Sequence, residues 1–406
     1  MKPNRLDWLW TTLRLHATVV GMRRFPPSPI TSLIDEAALY NFGESFCSHL
    51  AVHELLAGDG AARLAQLALG YGTSAGDAEL RRLVAANLGV RADEVLVTPG
   101  AVSALFLLGL IVADVDAEIV VALPCFPPFL ATLHGIGANV VTEQLRFEHS
   151  YRLDAAVLEG KLSAKTRLVA LASPQNPSGV AISRREIEQV LNSMTRICPD
   201  ALLLIDEIYR EAVHGAHPAS PSFASLSPQV VTCGSLSKSH GAPGLRIGWM
   251  TVRVPELREQ LRLAKFSTSI SCGTVDEFLA TELLRQAETV LAPRRAFMAD
   301  ALKVVEEWVD ANREQIRWVR PDAGAFCCIQ LNPAVFDRNG VQRFHSWLAQ
   351  ARILVAAGEW FGDTRNVFRL GFGYEPIEKL RTGLELLSDA LKHASRPATA
   401  SAVRGI

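Results

Sequence analysis

From residue 94 to residue 252 short apolar runs alternate with amphipathic stretches, and that alternation constrains the fold more than any one motif. The runs at 94–98, 118–123, 139–142, 167–171, 201–205, 230–233 and 247–252 have the length and apolar content of strands. Helical patterns centred near 128–134, 154–162, 184–195 and 256–264 lie between many of them, after helices at 80–87 and 101–111. A run such as Glu118-Ile-Val-Val-Ala-Leu123 is too apolar to leave one face in water. The pattern therefore predicts an α/β fold with a mostly parallel sheet covered by helices on both faces, a three-layer large domain.

After about residue 295 the text changes to a long helix through Trp308, then short strands near 325–331, 353–356 and 367–371, then helices. This predicts a smaller α+β domain. The expected division is an N-terminal arm and part of the small domain at 1–50, the large domain at 51–295, the rest of the small domain at 296–393, and a flexible tail at 394–406. A helix over residues 8–22 is expected to end at Phe25-Pro-Pro-Ser-Pro29. With 49% hydrophobic residues the chain can bury a large core, and its 41 Lys+Arg against 42 Asp+Glu create no field for nucleic acid or an anionic membrane. Arg5, Asp7, Arg14, His16, Arg23 and Arg24 interrupt the apolar side chains of the first 25 residues and argue against a secretory signal or a spanning segment. The seven cysteines have no metal-ligand spacing, so reduced thiols, a cytoplasmic setting and no metal are expected.

Three segments at strand ends carry the chemistry. Ser235-Leu-Ser237-Lys238-Ser-His-Gly-Ala-Pro-Gly-Leu-Arg246 sets a lysine between hydroxyls in a Gly-rich turn, with an arginine eight residues on. The turn suits an imine-forming lysine beside a phosphate cradle, although alone it reads equally as a solvated loop. Leu202-Leu-Leu-Ile-Asp206-Glu-Ile-Tyr209 ends an apolar strand on an aspartate, where open α/β sheets place ligands. A carboxylate there needs a cation or a donor, and a protonated pyridine nitrogen is one. Ser173-Pro-Gln-Asn176-Pro-Ser-Gly179 is an ordinary turn by itself, and beside the other two it offers Asn176 as a donor to a ring oxygen.

In this order and spacing the segments resemble the fold-type I pyridoxal-phosphate enzymes, in particular the class I/II aminotransferases, over roughly residues 40–390. The resemblance implies aminotransferase fold type I and pyridoxal 5'-phosphate bound as an imine to Lys238. It further implies Asp206 on the pyridine nitrogen, Tyr209 and Asn176 at the phenolic oxygen, and Arg246, Ser237 and Ser235 around the phosphate. Thr98-Pro-Gly100-Ala101-Val102-Ser103 would add backbone donors at a helix start, with Val102 standing where this family often has a hydroxyl. Phe126 in Pro124-Cys-Phe126-Pro matches the ring that stacks on the cofactor. Tyr71-Gly-Thr-Ser-Ala-Gly76 matches a loop that reaches a neighbouring subunit's phosphate, which implies a homodimer. On the substrate side, Arg369 in Asn366-Val-Phe-Arg369 matches the α-carboxylate clamp. Asn41-Phe42-Gly43-Glu44 matches the segment that closes over substrate, which implies a backbone donor at Gly43 and Phe42 or Glu44 bordering the side-chain pocket, and Trp360 in Gly358-Glu-Trp360-Phe-Gly362 would form a further wall.

The implied reaction is transamination between an L-amino acid and a 2-oxo acid, with Lys238, Asp206 and Tyr209 as the catalytic set. A narrower echo lies in Phe42-Gly-Glu44, Cys233-Gly-Ser-Leu-Ser-Lys238 and Gly244-Leu-Arg-Ile-Gly-Trp249, which resemble the capreomycidine synthase branch that cyclises hydroxylated arginine. A cyclase or eliminating lyase is therefore the alternative enzyme. A regulatory cofactor-binding domain is a further reading, disfavoured by the near-neutral charge and the lack of a recognisable DNA-binding extension.

Overall fold

A computed structural model describes residues 25–395 except 27, 36 and 115. The helix expected at 8–22 and the tail beyond 395 lie outside the described residues. The strands, in chain order, are Tyr40–Phe42 (β1), Val95–Thr98 (β2), Glu118–Leu123 (β3), Asn139–Gln144 (β4), Thr166–Ala172 (β5), Leu202–Asp206 (β6), Val230–Ser235 (β7), Gly248–Thr251 (β8), Ile316–Val319 (β9), Phe326–Leu331 (β10), Ile353–Ala357 (β11) and Val367–Gly371 (β12).

Seven of them form the large sheet, in the order β2-β8-β7-β6-β5-β3-β4. All neighbours pair in parallel except β8, which runs antiparallel to both β2 and β7. The alternation of β6 shows why the runs read as continuously apolar: Leu203 and Ile205 pack into one core while Leu204 packs into the core on the opposite face. Helix Arg184–Ile197 covers the first face, and helices Gly100–Val112 and Pro127–Ile136 cover the second. A capping box fixes the start of Arg184–Ile197, with Ser183 Oγ accepting from Glu186 N, a contribution of about 1 kcal/mol.

The smaller lobe is a five-stranded sheet, β1-β11-β12-β10-β9, in which β1 pairs in parallel and the remaining pairs are antiparallel. Its core joins Phe42, Trp308, Phe344, Phe368 and Leu384. Two of its strands, β1 and β9, extend the sheet beyond the expected three; with three and four residues they are too short to show a period. Helix Ala287–Ala311 begins before position 295 and runs through Pro293, so the expected boundary at 295 falls inside a helix. Helix Thr274–Arg285 is a further element that the apolar pattern hides, because it buries Glu277 and Glu282 on its inward side.

Candidate active site

The carboxyl ends of the parallel strands deliver the first group of side chains. Asp206 is the last residue of β6, Lys238 follows β7 by three residues, Asn176 lies in the turn after β5, and Gly100 opens a helix directly after β2. Gly100 has φ +75°, and a Cβ there would lie 2.4 Å from the Arg246 guanidinium. Gly248 repeats the device on β8, since its Cβ would stand 2.4 Å from the backbone nitrogen of Ala101. Glycine at both positions lets an exposed arginine approach the free N–H groups of a 13-residue helix, which is a cradle for an anion. Ser235 and Ser237 are buried beside this turn, with Ser237 N donating to Ser235 Oγ at 3.2 Å.

Asp206 has no arginine or lysine within ion-pair distance among the described residues. Its Oδ1 accepts from Ile208 N at 3.0 Å, and burial raises its carboxyl to about 6 against the lowering effects of that bond, the Cys233 thiol and Lys238. A cavity of about 40 Å³ lies against it, walled in part by Phe126, Gln175 and Leu204. Lys238 Nζ donates to Ser45 Oγ at 3.0 Å and lies 5.4 Å from the Phe46 ring centre. Burial lowers the Lys238 ammonium to about 8, helped by Arg369 and Arg246 and opposed by Glu44 and Asp206. Tyr209, pushed up to about 12 chiefly by burial, donates its O–H to the same Ser45 Oγ at 3.0 Å.

The smaller lobe contributes Arg369 from within β12, where it faces Cys328 of β10 and Ala356 of β11. It is 1% exposed. One terminal nitrogen donates to Asn176 Oδ1 at 2.7 Å and the other donates to the Gly43 carbonyl, while the rings of Phe361 and Phe326 lie 5.0 and 5.3 Å from the guanidinium carbon. Its Nε is buried without a hydrogen-bond partner among the described residues. Such an atom calls for an acceptor from outside the chain, and a carboxylate suits an arginine fork. Glu44, next to Gly43, is buried, and burial raises its carboxyl against the pull of Lys238 and Arg369.

Thus Lys238 and Tyr209 meet on Ser45, Asn176, Gly43 and Arg369 form a second group, and Arg246 and Gly100 a third. Four residues depart from expectation or stand apart. Phe42 does not line a pocket; it is wholly buried in the small-lobe core, because its strand turns that side chain toward the helices. Trp360 is half-buried in the one-turn helix Gly358–Phe361, and it is the next residue, Phe361, that packs on Arg369. Tyr71 is 85% exposed, and Val102, 41% exposed, offers only its backbone to an anion. Ser45, one residue beyond the segment singled out in the sequence, belongs to the site, as do Phe361 and the Cys233 thiol.

Pyridoxal phosphate fits this donor set: an anion cradle, a carboxylate without a cation, and an amine of lowered basicity. The comparisons agree. The family described as aminotransferase class I and II matches residues 40–385. Capreomycidine synthase of Streptomyces vinaceus is 28% identical over 381 residues, covering 91% of this chain and 95% of that protein. Arginine–pyruvate transaminase of Pseudomonas aeruginosa is 28% identical over 306 residues, 71% of this chain and 73% of that one. Among solved structures, a PLP-dependent aminotransferase from Streptococcus suis superposes with TM-score 0.83 at 23% identity, covering 92% of this chain and all of that one. The PLP-dependent cyclase OrfR superposes with TM-score 0.79 at 26% identity over 92% of this chain and 99% of its own. Cradle, strand-end carboxylate and lysine thus occur on a fold and in a sequence that agree with them, and the chain belongs to the aminotransferase class I and II family as a pyridoxal-phosphate-dependent fold-type I enzyme related to both aminotransferases and cyclases.

Proposed function

We propose that the chain is an aminotransferase that moves the amino group of an L-amino acid to a 2-oxo acid. The observation that carries this reading is the buried Nε of Arg369, which has no hydrogen-bond partner among the described residues, in a site that also holds an amine of lowered basicity at Lys238. In this reading Arg246, Ser235, Ser237 and the N–H groups from Gly100 to Val102 hold the phosphate, Phe126 stacks on the ring, and Asp206 keeps the ring nitrogen protonated. When bound, pyridoxal phosphate supplies a covalent electron sink for the substrate's Cα electrons.

The protein's own work is positional. Arg369 grips the α-carboxylate and thereby turns the substrate's α-hydrogen toward Lys238 Nζ. Lys238 then takes that proton, a role suited to an amine whose basicity burial has brought to about 8. Asn176 has its carbonyl oxygen occupied by Arg369, so its amide N–H donors are left for the cofactor's phenolic oxygen, with Tyr209 nearby. The test supplies an amino donor without an oxo acid to the loaded enzyme. Transamination leaves the cofactor in its amine form and releases one equivalent of 2-oxo acid.

A second reading, a cyclase or eliminating lyase acting on a modified amino acid such as hydroxylated arginine, is favoured by Glu44. Its buried carboxylate adjoins the substrate clamp and would suit a cationic side chain, and a capreomycidine synthase is similar over 91% of the chain. In that case the same experiment gives a cyclised or eliminated product with the aldehyde form of the cofactor restored. We also propose a homodimer whose interface includes Leu69, Tyr71 and Phe266, exposed by 80, 85 and 52%. Tyr71 would then complete the partner's phosphate site. The proposed lobes are residues 51–295 against 1–50 with 296–393. Free cysteines at all seven positions support a cytoplasmic setting, and no described helix is long and apolar enough to cross a membrane.

A further inference from the structure

Ser45 is 3% exposed and sits on the segment that follows β1, a strand of the smaller lobe. Lys238 and Tyr209 hang from the larger sheet. A serine oxygen accepts two hydrogen bonds and donates one. Here both acceptor positions are filled, by Lys238 Nζ at 3.0 Å and by Tyr209 O–H at 3.0 Å. Among the described residues this is the hydrogen bond that Nζ makes, the Phe46 ring standing farther off at 5.4 Å. We propose that Ser45 is a positioning residue for the catalytic lysine, reaching over from the smaller lobe to hold its free amine in place while the proton is moved and to bridge it to Tyr209.

An amine that takes a proton inside the protein becomes an ammonium that water does not solvate, and it needs an acceptor at hydrogen-bond distance. Asp206 and Glu44 raise the lysine's basicity through space, and neither is within ion-pair distance of Nζ. Ser45 is in contact. The bond requires hydrogens on Nζ, so it is strongest when the lysine is detached and protonated, the moment at which a misplaced ammonium would deliver its proton to the wrong atom. The inference rests on the assignment of Lys238 as the reactive lysine.

The test compares Ser45→Ala with Ser45→Thr, which keeps the hydroxyl, and with Ser45→Cys, which keeps the volume but is a poor acceptor. In cofactor-free protein, competitive acylation followed by peptide mass mapping reads the ionisation midpoint of Lys238. Ser45→Ala and Ser45→Cys are expected to lower it by about one pH unit, and Ser45→Thr to leave it near the native value. In the loaded enzyme, single-turnover consumption of a saturating amino donor should fall about 10-fold in the first two variants and recover in the third, with donor affinity changed less than about two-fold. Native midpoints and native rates in both Ser45→Ala and Ser45→Cys would overturn the proposal. The cofactor assignment fails separately, if native protein does not take pyridoxal phosphate onto Lys238, and the ionisation measurement still judges the Ser45 bond.

Discussion

The two lobes hold their charged groups in opposite ways. In the larger lobe Asp206 closes β6, where it still pairs with Ala172 and Cys233, Lys238 and Asn176 stand just beyond strand ends, and Arg246 follows in the loop before β8, so all but Asp206 reach the site from backbone outside a ladder. In the smaller lobe Arg369 lies in the middle of β12, flanked by Cys328 and Ala356 on the neighbouring strands and by two aromatic rings. Strand ends offer free N–H groups and room for a large anionic ligand. A strand interior offers rigidity, and a buried arginine there with one donor left over calls for an acceptor. Under the proposed function this is a division of labour, with the loop-borne groups holding a cofactor and the strand-borne arginine holding one small carboxylate.

Asp206→Asn keeps the shape of the β6 end but removes the charge that would face the ring nitrogen, so single-turnover deprotonation of saturating substrate should slow by about 100-fold or more. Donor affinity should change little. An unchanged rate in fully loaded protein removes Asp206 from that role.

Arg369→Lys sharpens the other half. Lysine retains the charge and loses the fork, so an amino acid should bind about 10-fold more weakly, while the matched amine without a carboxylate should lose almost nothing. Equal losses for both ligands, read by spectral titration of loaded protein, would make Arg369 a structural residue.

The lysine gives a pH prediction. Its folded-state value is lowered from 10.5 to about 8, and the neutral amine is the nucleophile. Capture of pyridoxal phosphate by cofactor-free protein should therefore quicken as pH rises through about 8 and level off above it. A rate still climbing steeply above pH 10, where an ordinary lysine titrates, would contradict the buried setting. The smallest effect is expected at Phe42. Phe42→Leu should lower stability by about 1 kcal/mol in denaturant unfolding and leave substrate affinity unchanged, because that ring belongs to the core.

The same contrast explains what was legible. Asp206 and Asn176 can be read from sequence because polar text follows an apolar run that must be a buried strand. Arg369 interrupts such a run, and only the family resemblance tells a clamp from a surface arginine. Ser45 has no local signal at all: its partners are 164 and 193 residues away in the chain, and the contact exists only because β1 joins the small sheet. Phe42 misleads for a related reason, since a three-residue strand gives no period from which to tell inward from outward. Tyr71 is 85% exposed, and its expected contact belongs to the proposed homodimer and not to anything within one copy of the chain.

Borohydride reduction of the loaded protein followed by peptide mapping decides whether Lys238 is the lysine that holds the cofactor. A stoichiometric adduct is expected on the peptide containing Lys238. Lys238→Ala should carry no adduct, even where the Arg246 and Gly100 cradle still retains the cofactor. An adduct on another lysine, such as the fully buried Lys265, would contradict that assignment.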